Sequence, residues 1–323
     1  MRVTFDGVML SRSPVGSAET ALIRLVDAVG ATGYRFVTPT PATHMRVLAR
    51  PGPPWARDLR DVFGWSRPFR QDVVPGEILS AMRDAGVLLE EGGGFRSAVR
   101  LSTLAGMLFL HSSYPTTGSD AVFFGPDTYR FARAIEQSQF TGSEVRRAVD
   151  IGCGAGPGAA VVAKRWPDAL VHGVDINPAA LRLARANAGA GGITVSFEQS
   201  DLLTGLDGAF DLIVANPPYL IDPAERTYRH GGGPLGAGLS LRILDVALDR
   251  LQSGGTLLLY TGSVIVGGTD AFLEASRSRL AARNVSWTYD EIDPDVFGEE
   301  LEQGVYVAAE RIAAVLLTAT RRD

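Results

Sequence analysis

The chain has 323 residues and a mass of 34.4 kDa, about twice an average domain, so two domains are expected. Hydrophobic residues at 46% and charged residues at 21% exclude a disordered or collagen-like chain, and a single cysteine, Cys153, excludes an internal disulfide or a multi-cysteine metal site. A formal charge of −5 argues against broad, non-specific nucleic-acid binding, but it divides unevenly: residues 1–120 hold 13 basic and 11 acidic residues, residues 121–323 hold 18 and 25.

In chain order, the start MRVTFDGVMLSRSPVG contains no apolar core of signal-peptide length. The longest apolar runs, such as LAGMLFL (104–110) and TLLLY (256–260), are far shorter than the roughly 20 residues a membrane helix needs. A cytoplasmic protein without membrane contact is expected. Residues 17–31 read as a helix with Ser17 as N-cap, and proline punctuation from Pro39 to Pro54 follows, with a short helical stretch between. Residues 75–86 read as a helix with Pro75 at its start, and 87–101 as two strands about a glycine turn at 92–94. A helix followed by a hairpin resembles the end of a winged-helix domain. Arg57, Arg60, Arg67 and Arg70 lie close by in sequence, but with no recognition motif beside them they suit the solvated face of a small α+β accessory domain better than a nucleic-acid-binding module.

From about residue 146 the pattern changes. Strands are predicted at 147–151, 170–175, 193–198, 210–215 and 255–261, with two more at 285–292 and 311–319. Helices are predicted at 158–166, 178–189, 239–252 and 269–283. Such alternation implies a parallel α/β sheet with helices on both faces, whose ligands sit at the carboxyl ends of the strands.

The first strand end, VDIGCGAGPGA (149–159), carries Asp150 and the glycines Gly152, Gly154 and Gly156, which let backbone turn tightly beside a ligand. The stretch GAGPGA also fits a dinucleotide fingerprint, and a ribose-binding acid such as Asp175 at the second strand end would serve a nicotinamide enzyme equally well. The third strand end holds Asp201 and Leu202, and the fourth runs directly into Asn216-Pro217-Pro218-Tyr219. Four such features at four successive strand ends resemble the class I S-adenosylmethionine-dependent methyltransferases over roughly residues 121–320. The resemblance implies a Rossmann-like, seven-stranded sheet. It also implies that Asp150, Gly152, Gly154 and Gly156 hold the methionyl end of the cofactor, Asp175 with Ile176 beside it the ribose, and Asp201 with Leu202 the adenine. A dehydrogenase would not need an N-P-P-Y there.

The residue types of N-P-P-Y suit a planar NH2 acceptor. The Asn216 side-chain oxygen and the Pro217 carbonyl can each accept one of its hydrogens, the prolines stiffen the loop, and Tyr219 offers a flat face for stacking. N-P-P-Y is shared by glutamine-N5 protein methyltransferases of the HemK/PrmC type and by enzymes acting on exocyclic amines of nucleic-acid bases. Pro126-Asp127-Thr128, matching a Pro-Glu-Thr segment, and the glycine-containing stretch 230–248 are HemK-like. The amino-terminal part and the acidic tail 293–317 are not, and the tail is closer to the broader "small" methyltransferase group. A protein glutamine side chain therefore ranks first as acceptor, then an RNA or DNA base amine (adenine N6 or guanine N2), then a small-molecule amine.

Cys153 reads as a packing residue within the cofactor loop, Phe124 and Tyr129 as either a cofactor cover or core, and His230, just past the active-site loop, more as a loop residue than as a substrate contact. His44, His111 and His172 have no metal-ligand spacing, so no metal is expected. The domain boundary is placed near residue 118, dividing an accessory or substrate-recognition domain (1–118) from the methyltransferase domain (119–323).

Overall fold

The computed structural model describes residues 16–139 and 145–323; the reading of the first fifteen residues lies outside them. Four helices, α1 (Ser17–Ala31), α2 (Pro41–Leu48), α3 (Leu59–Phe63) and α4 (Gly76–Asp84), precede two hairpins. The first pairs β1 (Leu88–Glu91) with β2 (Gly94–Ser97), and its turn uses Gly92 and Gly93 at φ +58° and +76°, a conformation open to glycine at no steric cost. The second pairs β3 (Val99–Leu104) with β4 (Met107–Ser112). Sequence reading missed it, because the turn Ala105-Gly106 interrupts what looks like one apolar run. Gly16 rather than Ser17 caps α1.

The amino-terminal arginines brace their own loops. Arg60 donates to the Arg35 carbonyl at 2.7 Å, Arg67 donates to the Pro53 carbonyl at 3.1 Å, and the Arg70 guanidinium lies 3.7 Å from the Trp55 ring centre. Arg57, 72% exposed, pairs with Asp61 at 3.2 Å.

The large sheet begins with β5 (Arg147–Ile151), followed by β6 (Leu170–Asp175), β7 (Ser196–Gln199), β8 (Phe210–Ala215), β9 (Leu251–Val266), the two-residue β10 (Thr269–Asp270), β11 (Val285–Asp293) and β12 (Arg311–Arg321). Seven strands run in the order β11-β12-β9-β8-β5-β6-β7, and β10 adds to β9 at the side. The five from β7 to β9 are parallel, while β12 and β11 are antiparallel to their neighbours. The expected Rossmann-like α/β sheet is thus present. Strand order reverses at β5, between β6 and β8, which opens a crevice at their carboxyl ends.

Both faces of this sheet are covered, as its nearly continuous apolar strands require. Ala148, Leu212, Val214, Leu258 and Tyr260 pack beneath α5 (Pro126–Gln137) and α6 (Pro157–Arg165). The alternate residues Val149, Ile213, Leu257 and Leu259 pack beneath α8 (Gly238–Arg250) and α9 (Ala271–Ala281). Between β6 and β7 runs α7 (Pro178–Ala190), whose Ala180, Leu183 and Ala186 enter one apolar cluster with Leu22, Leu25 and Val29 of α1. Asn187 of α7 reinforces this contact, since its Oδ1 accepts from the Leu110 N–H at 2.8 Å and its Nδ2 donates to the carbonyls of Leu110 (3.1 Å) and Ala155 (2.9 Å). Among the described residues no helix is long and apolar enough to cross a membrane.

Candidate active site

A cavity of about 780 Å³ opens at the carboxyl ends of the parallel strands, within the usual range for small-molecule sites. Asp150, the penultimate residue of β5, is 1% exposed, and its Oδ2 accepts from the Ala159 N–H in the first turn of α6 at 2.8 Å. Burial, reinforced by the charge of Asp175, pushes its carboxyl up to about 7. Gly152 and Gly154 follow at φ +70° and +53°, and a Cβ on either would meet nothing within 4 Å. Both therefore present bare backbone to open space. Gly156 behaves differently. It sits at φ +83° where α6 begins, a Cβ there would come within 3.2 Å of Ala184 and Phe197, and it does not line the cavity. The glycine is required for packing α6 against α7 and β7, and not for direct ligand contact.

Asp175 ends β6. Its Oδ2 accepts from the Gly154 N–H at 2.8 Å and its Oδ1 from the Asn177 N–H at 2.9 Å, so each oxygen retains a lone pair for a further donor. Burial pushes this carboxyl up as well. Ile176 beside it lines the cavity although 51% exposed, an apolar surface offered to a flat apolar partner. Asp201 and Leu202 form the rim. The Asp201 side chain is 62% exposed and shares its two oxygens with the Arg242 guanidinium at 3.3 Å, a surface ion pair of little strength. These bare glycines, the two acids and the apolar shelf fit the amino-acid, ribose and base portions of a nucleoside-bearing cofactor.

Asn216, Pro217, Pro218 and Tyr219, which follow β8, all line the same cavity. Among the described residues the Asn216 side-chain amide has no hydrogen-bond partner, so both its donor and its acceptor are available. Tyr219 does not present the free stacking face that was expected. Its ring lies against Gly262 of β9, where a Cβ would come within 2.1 Å of it, and it is only 6% exposed. Its hydroxyl donates to Asp127 Oδ2 at 2.6 Å, while Tyr260 donates to Asp127 Oδ1 at 2.8 Å. Arg130 completes this buried carboxyl's partners at 3.1 Å. Burial pushes Asp127 up, and the two hydroxyls and Arg130 oppose that shift. Asp127 thus ties three elements together: the start of α5, the N-P-P-Y loop and β9. Its position in Pro126-Asp127-Thr128 was legible, but its partners were not, because they lie 92 and 133 residues away.

The chain then folds back across the acceptor side. The Leu220 carbonyl accepts from the Gly231 N–H at 2.8 Å, and a Cβ on Gly231 or Gly236 would fall 2.1 or 2.2 Å from backbone oxygen. His230 lines the cavity here. Asp222, 2% exposed, grips Arg226 at 2.6 Å and holds the loop in shape, and Arg229 reaches the buried Glu300. The hydrogen bonds from Arg226 keep the Asp222 carboxyl low, at about 2. Phe124 and Tyr129 are core: Phe124 packs on Phe109 and His111, and the Tyr129 hydroxyl accepts from the Thr38 N–H at 3.1 Å. Cys153 is 4% exposed, and burial pushes its thiol up, away from the thiolate that a nucleophile requires.

Residues 128–265 match the family model of the methyltransferase small domain. A release factor glutamine methyltransferase of Koribacter versatilis is 32% identical over 187 residues, 54% of this chain and 62% of that protein. One from Deinococcus radiodurans is 38% identical over 126 residues, 36% and 45% of the two chains. A 4-amino-L-phenylalanine/4-methylamino-L-phenylalanine methyltransferase of Streptomyces pristinaespiralis is 33% identical over 146 residues, 42% and 50%. The matched region thus spans 45–62% of these relatives' lengths. The nicotinamide reading of the glycine loop is set aside by the same match. Over residues 128–265 the chain is thus similar to the methyltransferase small domain, and its strand order is the one expected of a class I S-adenosylmethionine-dependent methyltransferase.

Proposed function

We propose that the protein methylates a planar NH2 nitrogen, and that the nitrogen belongs to a protein glutamine side chain. The observation that carries this reading is the Asn216 amide, left without a partner among the described residues and set in the same cavity as the glycine loop. Asn216 Oδ1 and the Pro217 carbonyl accept the two hydrogens of the acceptor amine, which turns its lone pair toward the cofactor side. The donor, S-adenosylmethionine, supplies a methyl already activated on a sulfonium. The chain therefore needs to align rather than to deprotonate, and alignment alone contributes on the order of 7–11 kcal/mol. Asp150 with Gly152 and Gly154 receives the methionyl end, Asp175 the ribose hydroxyls, and Ile176, Leu202 and Asp201 the adenine. Tyr219 acts as a positioning residue that fixes Asn216 and Pro217 through Asp127.

Similarity to release factor glutamine methyltransferases supports glutamine as the acceptor. Likeness to the Streptomyces pristinaespiralis protein makes a small-molecule amine the second reading. The division near residue 118 belongs to this proposal, with residues 1–118 as accessory part, as does a cytoplasmic setting in which the lone cysteine stays reduced.

Radiolabelled S-adenosylmethionine added to a bacterial cell extract, followed by protease or nuclease digestion, tests the acceptor. Label released by protease, on a glutamine by mass spectrometry, is the expected result; label released by nuclease, or found only in small molecules, overturns it. Asn216→Ala should lower transfer by about 10²-fold or more while S-adenosylhomocysteine affinity stays within about threefold by calorimetry.

A further inference from the structure

His230 is the group in the acceptor half of the cavity whose chemistry the proposed reaction does not use. Its position is set by backbone pairing, since Leu220 donates to the Arg229 carbonyl at 3.3 Å and accepts from Gly231 at 2.8 Å, placing His230 beside the residue that follows N-P-P-Y. Its ring is oriented by a second contact: Nδ1 accepts from the Asp222 backbone N–H at 3.2 Å. An acceptor nitrogen cannot carry the proton, so the neutral ring bears it on Nε2. Asp222 is itself immobilised by Arg226, at 2.6 Å to one carboxylate oxygen and 2.8 Å to the other, so the orientation rests on a rigid turn. The ring lines the same cavity as Asn216 and Pro217, and Gly232 lies on its Nε2 side, where even an added Cβ would remain 3.7 Å away.

We propose that His230 is a specificity-determining residue, whose Nε2–H donates to a hydrogen-bond acceptor adjacent to the NH2 that is methylated. Asn216 and Pro217 supply acceptors; His230 supplies the complementary donor. Together they suit a primary carboxamide, which has a carbonyl oxygen next to its NH2, and they discriminate against a simple aryl amine such as aniline, which has none. The inference rests on the acceptor site proposed above and names what that site selects. A hydrogen bond to the amide oxygen draws the nitrogen lone pair toward that oxygen. It therefore strengthens binding without aiding attack, and its loss should raise KM and leave kcat unchanged or slightly higher.

The full-length protein, saturated with S-adenosylhomocysteine and labelled with 15N-histidine, is titrated with N-acetylglutamine methylamide and separately with aniline while His230 is followed by NMR. The free complex should show the Nε2–H tautomer. The carboxamide should shift that signal and aniline should leave it in place. Two isosteric variants separate recognition from structure: His230→Gln places an N–H where Nε2 was, and His230→Asn keeps an acceptor for the Asp222 N–H but loses the donor. His230→Gln should hold carboxamide affinity within about twofold, and His230→Asn should lose roughly tenfold. An Nδ1–H tautomer, equal shifts with both probes, no shift with the carboxamide, or rescue by Asn but not by Gln overturns the proposal while leaving the methyltransferase reading intact. Failure of the wild-type protein to bind S-adenosylhomocysteine removes both.

Discussion

Asp150 shows how burial converts a common residue into a titratable group at the cavity wall. It stands 1% exposed, near a second carboxylate, with one backbone N–H as donor, and its carboxyl is pushed up to about 7 from an ordinary 3.8. The native state therefore holds a proton that the unfolded chain releases. Its contribution to stability is complete below about 3.8 and is lost as pH rises through about 7. On the proposed site assignment cofactor binding has the opposite sign, because the ionised carboxylate would receive the methionyl ammonium. Affinity for S-adenosylhomocysteine should rise between pH 6 and pH 8, and calorimetry in buffers of differing ionisation heat should record proton release at the lower pH. Asp150→Asn should bind more weakly and flatten the profile. This residue's place in the site was legible from its position at a strand end; its protonation was not, since it depends on what covers it.

At the scale of elements, the N-P-P-Y loop is a strand end clamped from two sides. Asp127 at the start of α5 holds the Tyr219 hydroxyl, and Gly262 in β9 leaves room for the Tyr219 ring. Gly262→Ala places a Cβ 2.1 Å from that ring and forces it to move. The substitution should cost about 1–3 kcal/mol of stability in urea unfolding. Methyl transfer should fall by at least about tenfold, with S-adenosylhomocysteine affinity within about threefold. Strands β5, β6 and β8 were readable because each is buried on both faces and bounded by turn residues. The start of β7 slipped from residue 193 to Ser196, and α5 was not predicted as a helix. A Pro at the first helical position, which α5 has in Pro126, was the signal that could have identified it. The β3–β4 hairpin was lost within one apolar run, because an Ala-Gly turn carries little of the Asn-Gly or Asp-Gly signature.

Across the whole molecule, the amino-terminal helices are fastened to the cofactor-binding half rather than tethered beside it. Asn187, 2% exposed, bonds to Leu110 in β4 and to Ala155 in the cofactor loop, and α1 and α7 share a core. Asn187→Ala leaves buried backbone groups of Leu110 and Ala155 without these partners. It should lower unfolding free energy by about 2–4 kcal/mol and weaken S-adenosylhomocysteine binding several-fold through Ala155. An unchanged urea midpoint would show that this bridge carries no load. The chain's order of residues alone determined the α/β class and placed the candidate site at four strand ends, because periodicity and strand-end motifs are local properties. Tertiary structure alone decided that Gly156 packs instead of lining the cavity, that Tyr219 is an anchor, that Asp127 is the hub and that His230 Nδ1 accepts from the Asp222 N–H. Each of those depends on atoms brought together by the sheet's reversal at β5 and by the long return of β9, which no local pattern encodes.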